Sequence, residues 1–117
     1  CLPHDIDYLQ IDVDENSYEV LRRMPLYDYK FAVIHFEHDA YRFDIRYRDY
    51  SRQVLESFGY KLVVDNLAYM DKYPHEDWWV HPDLIGKEKT QNLISRKSLN
   101  QVIPYFYNVD DSGLKKN

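Results

Sequence analysis

The sequence predicts an α/β fold in which two parallel strands joined by a helical crossover are followed by a second helix and an antiparallel hairpin. Three observations carry this. Apolar runs of strand length recur at residues 6–13, 31–36 and 60–67, amphipathic stretches separate them, and a fourth short run, DWWVH, follows the third after only a few turn-forming residues. A strand-helix-strand order implies parallel strands with a right-handed crossover, whereas the short last connection implies an antiparallel pair.

Residues 6–13 (IDYLQIDV) alternate loosely and are rich in Ile, Leu and Val, the pattern of a mostly buried strand. Asn16 with Glu19 three positions on resembles a capping box, and Val20, Leu21 and Met24 would form the inward stripe of a helix that Pro25 ends. Residues 31–36 (FAVIHF) form a near-continuous apolar run, expected for a strand covered on both faces, with His35 a hydrogen-bonded core histidine. A helix is predicted over 47–58, with Tyr50, Val54, Leu55 and Phe58 at helical spacing and Gly59 as terminator. Residues 60–67 form the third strand, 71–75 a turn and 77–81 the fourth strand. Residues 87–99 suit a polar surface helix, 102–109 an aromatic-rich extension, and the rest a frayed tail.

The 117 residues suffice for one domain, and neither a repeat nor a linker divides them. A net charge of −5 disfavours nonspecific nucleic-acid binding, and Arg42, Arg46, Arg48 and Arg52 alternate with acids and tyrosines as on a solvated helix face. No apolar stretch reaches the roughly 20 residues of a membrane span, and no charged leader precedes an apolar core, so no membrane partner and a cytoplasmic location are expected. Cys1 is the only cysteine, which excludes an internal disulfide and a multi-cysteine zinc site. A chain that opens on Cys, shortly before a strand, is expected to be a segment of a longer protein.

Chemistry should gather where strands end. In an open parallel sheet ligands bind beyond the carboxyl ends of the strands. The first strand runs into Asp12 and Asp14, the second into Glu37, His38 and Asp39, and parallel pairing brings both clusters to one edge. Asp14 and Asn16 are also candidates for helix capping, while Asp12 falls inside the apolar run. Glu37, His38 and Asp39 combine an imidazole with two carboxylates, suited to proton transfer, and Asp12, Asp14 and Glu37 could hold a divalent metal through oxygen. Trp78 and Trp79 should point to opposite sides of their strand, so at most one faces a substrate while its neighbour packs in the core, and packing is the favoured reading. His75 and His81 match no recognised metal-ligand spacing and receive no role.

Absences narrow the chemistry further. With glycine only at 59, 86 and 113, the chain contains neither a phosphate-cradling loop nor a dinucleotide fingerprint, and it has no Gly-x-Ser-x-Gly elbow.

Taken together, IDYLQIDVDENSYEVLRRMP, FAVIHFEHDAY, SRQVLESFGYKLVVDN and EDWWVHPDL resemble the C-terminal half of FkbM-type methyltransferases, over about residues 5–84. The resemblance implies a Rossmann-like class I sheet whose fourth, fifth, sixth and antiparallel seventh strands are the four above, with 85–117 as an extension. It implies S-adenosylmethionine as cofactor and methyl transfer to an oxygen or nitrogen of a small-molecule or sugar-type acceptor. Asp12, Asp14 and His38 would be catalytic, and Glu37, Asp39 and Trp78 would line the acceptor pocket. Two departures accompany it: the first three strands with the cofactor loop are missing, and Glu15 and Asn16 stand where family members commonly have glycine. The alternatives are a noncatalytic α/β binding module and a metal-dependent hydrolase using the acidic cluster. An exposed edge at the first strand would favour self-association.

Overall fold

The computed structural model describes residues 4–69 and 73–95. Strand β1 (Asp5–Ile11) leads through a short 3-10 turn (Asp14–Asn16) into helix α1 (Ser17–Arg22). Strand β2 (Lys30–Glu37), helix α2 (Ile45–Ser57), strands β3 (Lys61–Tyr69) and β4 (Tyr73–Val80), and helices α3 (Pro82–Ile85) and α4 (Lys87–Ile94) follow. The four strands form one mixed sheet in the order β1-β2-β4-β3. β1 and β2 are parallel, with Ile11 beside Phe36, and β4 runs antiparallel to both β2 and β3. The expected α/β class, parallel pair and antiparallel hairpin are all present.

Alternation along the strands sorts the core into two layers. Ile11, Ile34, Phe36 and Trp79 pack with Leu21 of α1 and Leu55 of α2 on one face. Val63, Trp78 and Val80 pack with Leu93 of α4 on the other. Full burial of side chains this large contributes roughly 2 kcal/mol each, which makes the two layers the main source of stability.

Several boundaries differ from expectation, each for a local reason. β1 stops at Ile11, so Asp12 lies just beyond the strand and not within it, and both Asp12 and Val13 are exposed. The capping box does not form: Asn16 makes no side-chain cap, Ser17 Oγ accepts from the Val13 N–H, and Glu19 pairs with Arg22. Asp14 does not cap either; it turns to Arg42. Val20 is exposed, whereas Leu21 is fully buried and Met24 packs on the core. In α2 it is Asp44 that caps, accepting from the Arg46 N–H; Leu55 is buried, and Tyr50 of the expected stripe is exposed. Gly59 ends this helix at φ 91°, as its position predicted.

β4 begins at Tyr73 and not at Asp77, because Pro74 and Glu76 pair with Ala68 and Leu67 of β3 despite the proline. It ends before His81, whose Nδ1 accepts from the Asp83 N–H and caps α3. α4 ends at Ile94. The rest of the helix expected to reach 99, and the extension at 102–109, lie outside the described residues. Among the described residues no helix is long and apolar enough to cross a membrane.

Candidate functional site

Parallel pairing in register decides what the strand ends deliver. Ile11 and Phe36 are neighbours, so the chain leaves both strands on the same side of the sheet. Asp12 and Asp14 follow β1, Glu37 closes β2, and one carboxylate oxygen from each lies within 4.8 Å of the others. Asp14 sits at φ 53° and Asp39 at φ 47°, left-handed positions that aspartate tolerates better than most residues. Such backbone turns both carboxylates back toward a common cation: Arg42 Nη2 donates to Asp14 Oδ1 at 2.8 Å and to Asp39 Oδ2 at 2.9 Å, and its guanidinium lies 4.5 Å from the Phe43 ring centre.

The edge is nevertheless overcharged, with four carboxyl groups around one guanidinium. The imbalance falls on Glu37. Burial, and the Asp39 and Asp12 carboxylates beside it, push its carboxyl up to about 9, so that Glu37 carries a proton at neutral pH. A protonated carboxyl donates a hydrogen bond where an ionised one only accepts. That proton is held against the Asp39 and Asp12 carboxylates, so what the edge presents to a ligand is carboxylate oxygen. Asp12, Asp14 and Glu37 could also hold a divalent cation, since hard cations take carboxylate oxygens.

The other expected site residues lie elsewhere. His38 faces inward: its side chain is wholly buried, Nδ1 accepts from the Ala40 N–H at 3.0 Å, and Nε2 lies 3.3 Å from Asp77 Oδ1. It therefore has no open nitrogen for a substrate. Asp39 is buried behind Arg42, held by its backbone N–H to the His75 carbonyl. Trp78 is 8% exposed, stacks on His35 at 4.3 Å and donates to Glu76, so both tryptophans are packing residues. His35 is the expected core histidine: Nδ1 lies 3.0 Å from the Tyr8 hydroxyl, and burial pulls its pKa down to about 4, keeping it neutral.

Beneath the edge lies a network that sequence reasoning missed. Asp77, fully buried in β4, accepts from Arg52 Nε at Oδ2 and from Arg52 Nη2 and the Asn66 N–H at Oδ1. Asn66 reaches it because β3 is irregular between Val64 and Leu67, and at φ 51° its backbone turns toward β4. Burial alone would raise the Asp77 carboxyl; His38 and Arg52 outweigh it and hold it below the usual carboxylate range. The basic patch accordingly divides: Arg46 is exposed on Asp44, Arg48 reaches Asp49 and Asn66, Arg52 goes inward, and Arg42 joins the acidic edge. The signal for Arg42 was its spacing, three residues after Asp39 in a turn; nothing in one sequence marked Asp77.

No protein-family model, curated protein or solved structure matches the chain.

Proposed function

We propose that this α/β unit is the acceptor side of an S-adenosylmethionine-dependent methyltransferase of FkbM type. One observation carries the reading. Two parallel strands bring Asp12, Asp14 and Glu37 to a single edge, in a sheet completed by an antiparallel strand, the arrangement that the sequence resemblance leads one to expect. Among the described residues Gly59 and Gly86 serve helix ends, and the sequence contains no glycine-rich turn of the kind that cradles the cofactor. Residues outside this unit would hold it, and when bound it supplies an electrophilic methyl group on a sulfonium.

The residues present have separable tasks. Glu37 keeps its proton against the Asp39 and Asp12 carboxylates, which lowers the charge crowded at the edge. Asp14, the carboxylate fixed by Arg42, accepts from the acceptor hydroxyl or amine and takes its proton as the nucleophile forms, with Asp12 as the neighbouring acceptor. His38 takes no part in proton removal, because both of its nitrogens face the interior.

Calorimetric titration of the full gene product with S-adenosylmethionine, with and without magnesium, tests the proposal. Saturable binding, together with turnover that falls on Asp14→Asn, supports it. No binding by a demonstrably folded protein removes it. The carboxylate trio favours a second reading, cation-dependent hydrolysis at the same edge, which tight magnesium or manganese binding without any methyl donor would bring forward.

A further inference from the structure

We propose that His38 and Asp77 are positioning residues for the acidic edge: Asp77 fixes the ring of His38, and His38 fixes the turn that presents Glu37 and Asp39. The inference rests on reading that edge as the working site, but its test needs neither cofactor nor turnover.

The wiring is specific. The Ala40 N–H donates to His38 Nδ1 at 3.0 Å, so Nδ1 must be the unprotonated nitrogen and the proton of a neutral ring sits on Nε2. Nε2 in turn lies 3.3 Å from Asp77 Oδ1 without the alignment of a hydrogen bond. The reason is visible on the oxygen: Oδ1 already accepts from Arg52 Nη2 at 3.0 Å and from the Asn66 N–H at 2.9 Å, which uses its lone pairs. What Asp77 gives His38 is therefore negative charge beside the Nε2 proton, in a site from which water is excluded, and this favours the Nε2–H tautomer over the other. With the proton on Nδ1 instead, the Ala40 N–H would lose its acceptor.

The turn matters because of what it carries. Glu37 precedes His38, and Asp39, at φ 47°, follows it, with Ala40 next. The His38 and Asp39 N–H groups both donate to the His75 carbonyl, which anchors the turn on its β4 side, and the Ala40 N–H closes it through the imidazole. A released Ala40 would let Asp39 leave the left-handed region, and with it the pairing to Arg42 that fixes Asp14.

Two substitutions at one position separate positioning from bulk stability. His38→Asn places an amide oxygen near Nδ1 and keeps an acceptor for Ala40, as in an Asx turn, while giving up the reach to Asp77. His38→Gln places its amide near Nε2 and gives up Ala40. In the intact protein we expect long-range proton-nitrogen correlations to show His38 as the Nε2–H tautomer. We expect the Ala40 amide to exchange at least about tenfold faster in His38→Gln and within about twofold of wild type in His38→Asn, with the Ile34 amide in β2 unchanged in both. Asp77→Asn should raise the share of the Nδ1–H tautomer and speed exchange at Ala40.

An Nδ1–H ring in the wild type overturns the proposal, as does His38→Asn exchanging as fast as His38→Gln. Acceleration of Ile34 in step with Ala40 overturns it too, since that is global loss of stability. If Asp77→Asn does not fold, the wild-type tautomer and the two His38 variants decide. Cofactor binding fails or succeeds independently of all these readouts, so failure of the methyltransferase reading is recognised separately.

Discussion

Two clusters of acids and arginine lie within a few residues of each other, and they are built on opposite principles. In the buried one, Asp77 is matched by a bidentate Arg52, the Asn66 N–H and the nearby His38. In the other, at the strand ends, Arg42 pairs with the exposed Asp14 and the buried Asp39 while Asp12 and Glu37 stand beside them, and burial together with the neighbouring carboxylates leaves Glu37 a proton. A buried carboxylate has no water to compensate an unfilled lone pair, so it survives only when fully paired. An exposed edge tolerates the deficit, and the deficit is what leaves oxygen atoms free for a ligand. Complete pairing marks a structural role; incomplete pairing marks a site.

Four measurements would break or sharpen that contrast. The largest effect is expected inside: Asp77→Ala removes the carboxylate that Arg52 and the Asn66 N–H share, leaving the half-buried guanidinium only Asn66 Oδ1, and should cost about 3–5 kcal/mol in urea unfolding; a loss below about 1 kcal/mol would dissolve the distinction. Next, under the proposed function, Asp14→Asn should lower kcat about 100-fold or more with the unfolding midpoint little changed; equal turnover in wild type and variant would strip the edge of its catalytic role.

The third concerns pH. Glu37 has a folded-state pKa raised above its unfolded value, so its favourable contribution is complete below about 4.5 and is lost as pH rises toward about 9. Glu37→Gln should flatten the fall in stability across that window, and an unchanged slope would show that Glu37 is ionised in the native state. Asp77 behaves oppositely: its lowered pKa gives stability that is present above 3.8 and is lost as pH falls below it. The smallest effect belongs to Asp12→Asn. Relieving one of four acids should leave stability within about 0.5 kcal/mol or raise it slightly, as differential scanning would register.

The sequence carried the arrangement of strands further than their ends. FAVIHF read as a covered strand because its period is apolar throughout, and β2 is one. The meeting of Asp12, Asp14 and Glu37 followed from parallel pairing alone, since a helix between two strands leaves few alternatives. What the sequence could not show depended on backbone irregularity. Pro74 and His75 read as turn yet belong to β4, and the irregularity that brings Asn66 to Asp77 leaves no mark in composition. His38 was misplaced for a different reason: adjacency to Glu37 suggested a shared pocket, but successive residues at a strand end face opposite ways, and one of them points into the core. Trp78 lost its expected substrate contact to His35, a stacking partner on the next strand.

The strand order has a kinetic consequence. β4 lies between β2 and β3, yet its neighbour in sequence is β3, and the two pair up to their adjacent ends, Tyr69 with Tyr73. The hairpin closes a short loop, whereas pairing β4 with β2 or β1 with β2 encloses tens of residues, so hairpin formation should come early and the parallel pair late. Pulse-labelled exchange during refolding should then protect Leu62 and Trp79 before Ile11. The acidic edge, which needs both parallel strands and the turn after β2, would be the last part of the molecule to acquire its shape, and the protein would reach most of its native stability before it could bind anything there.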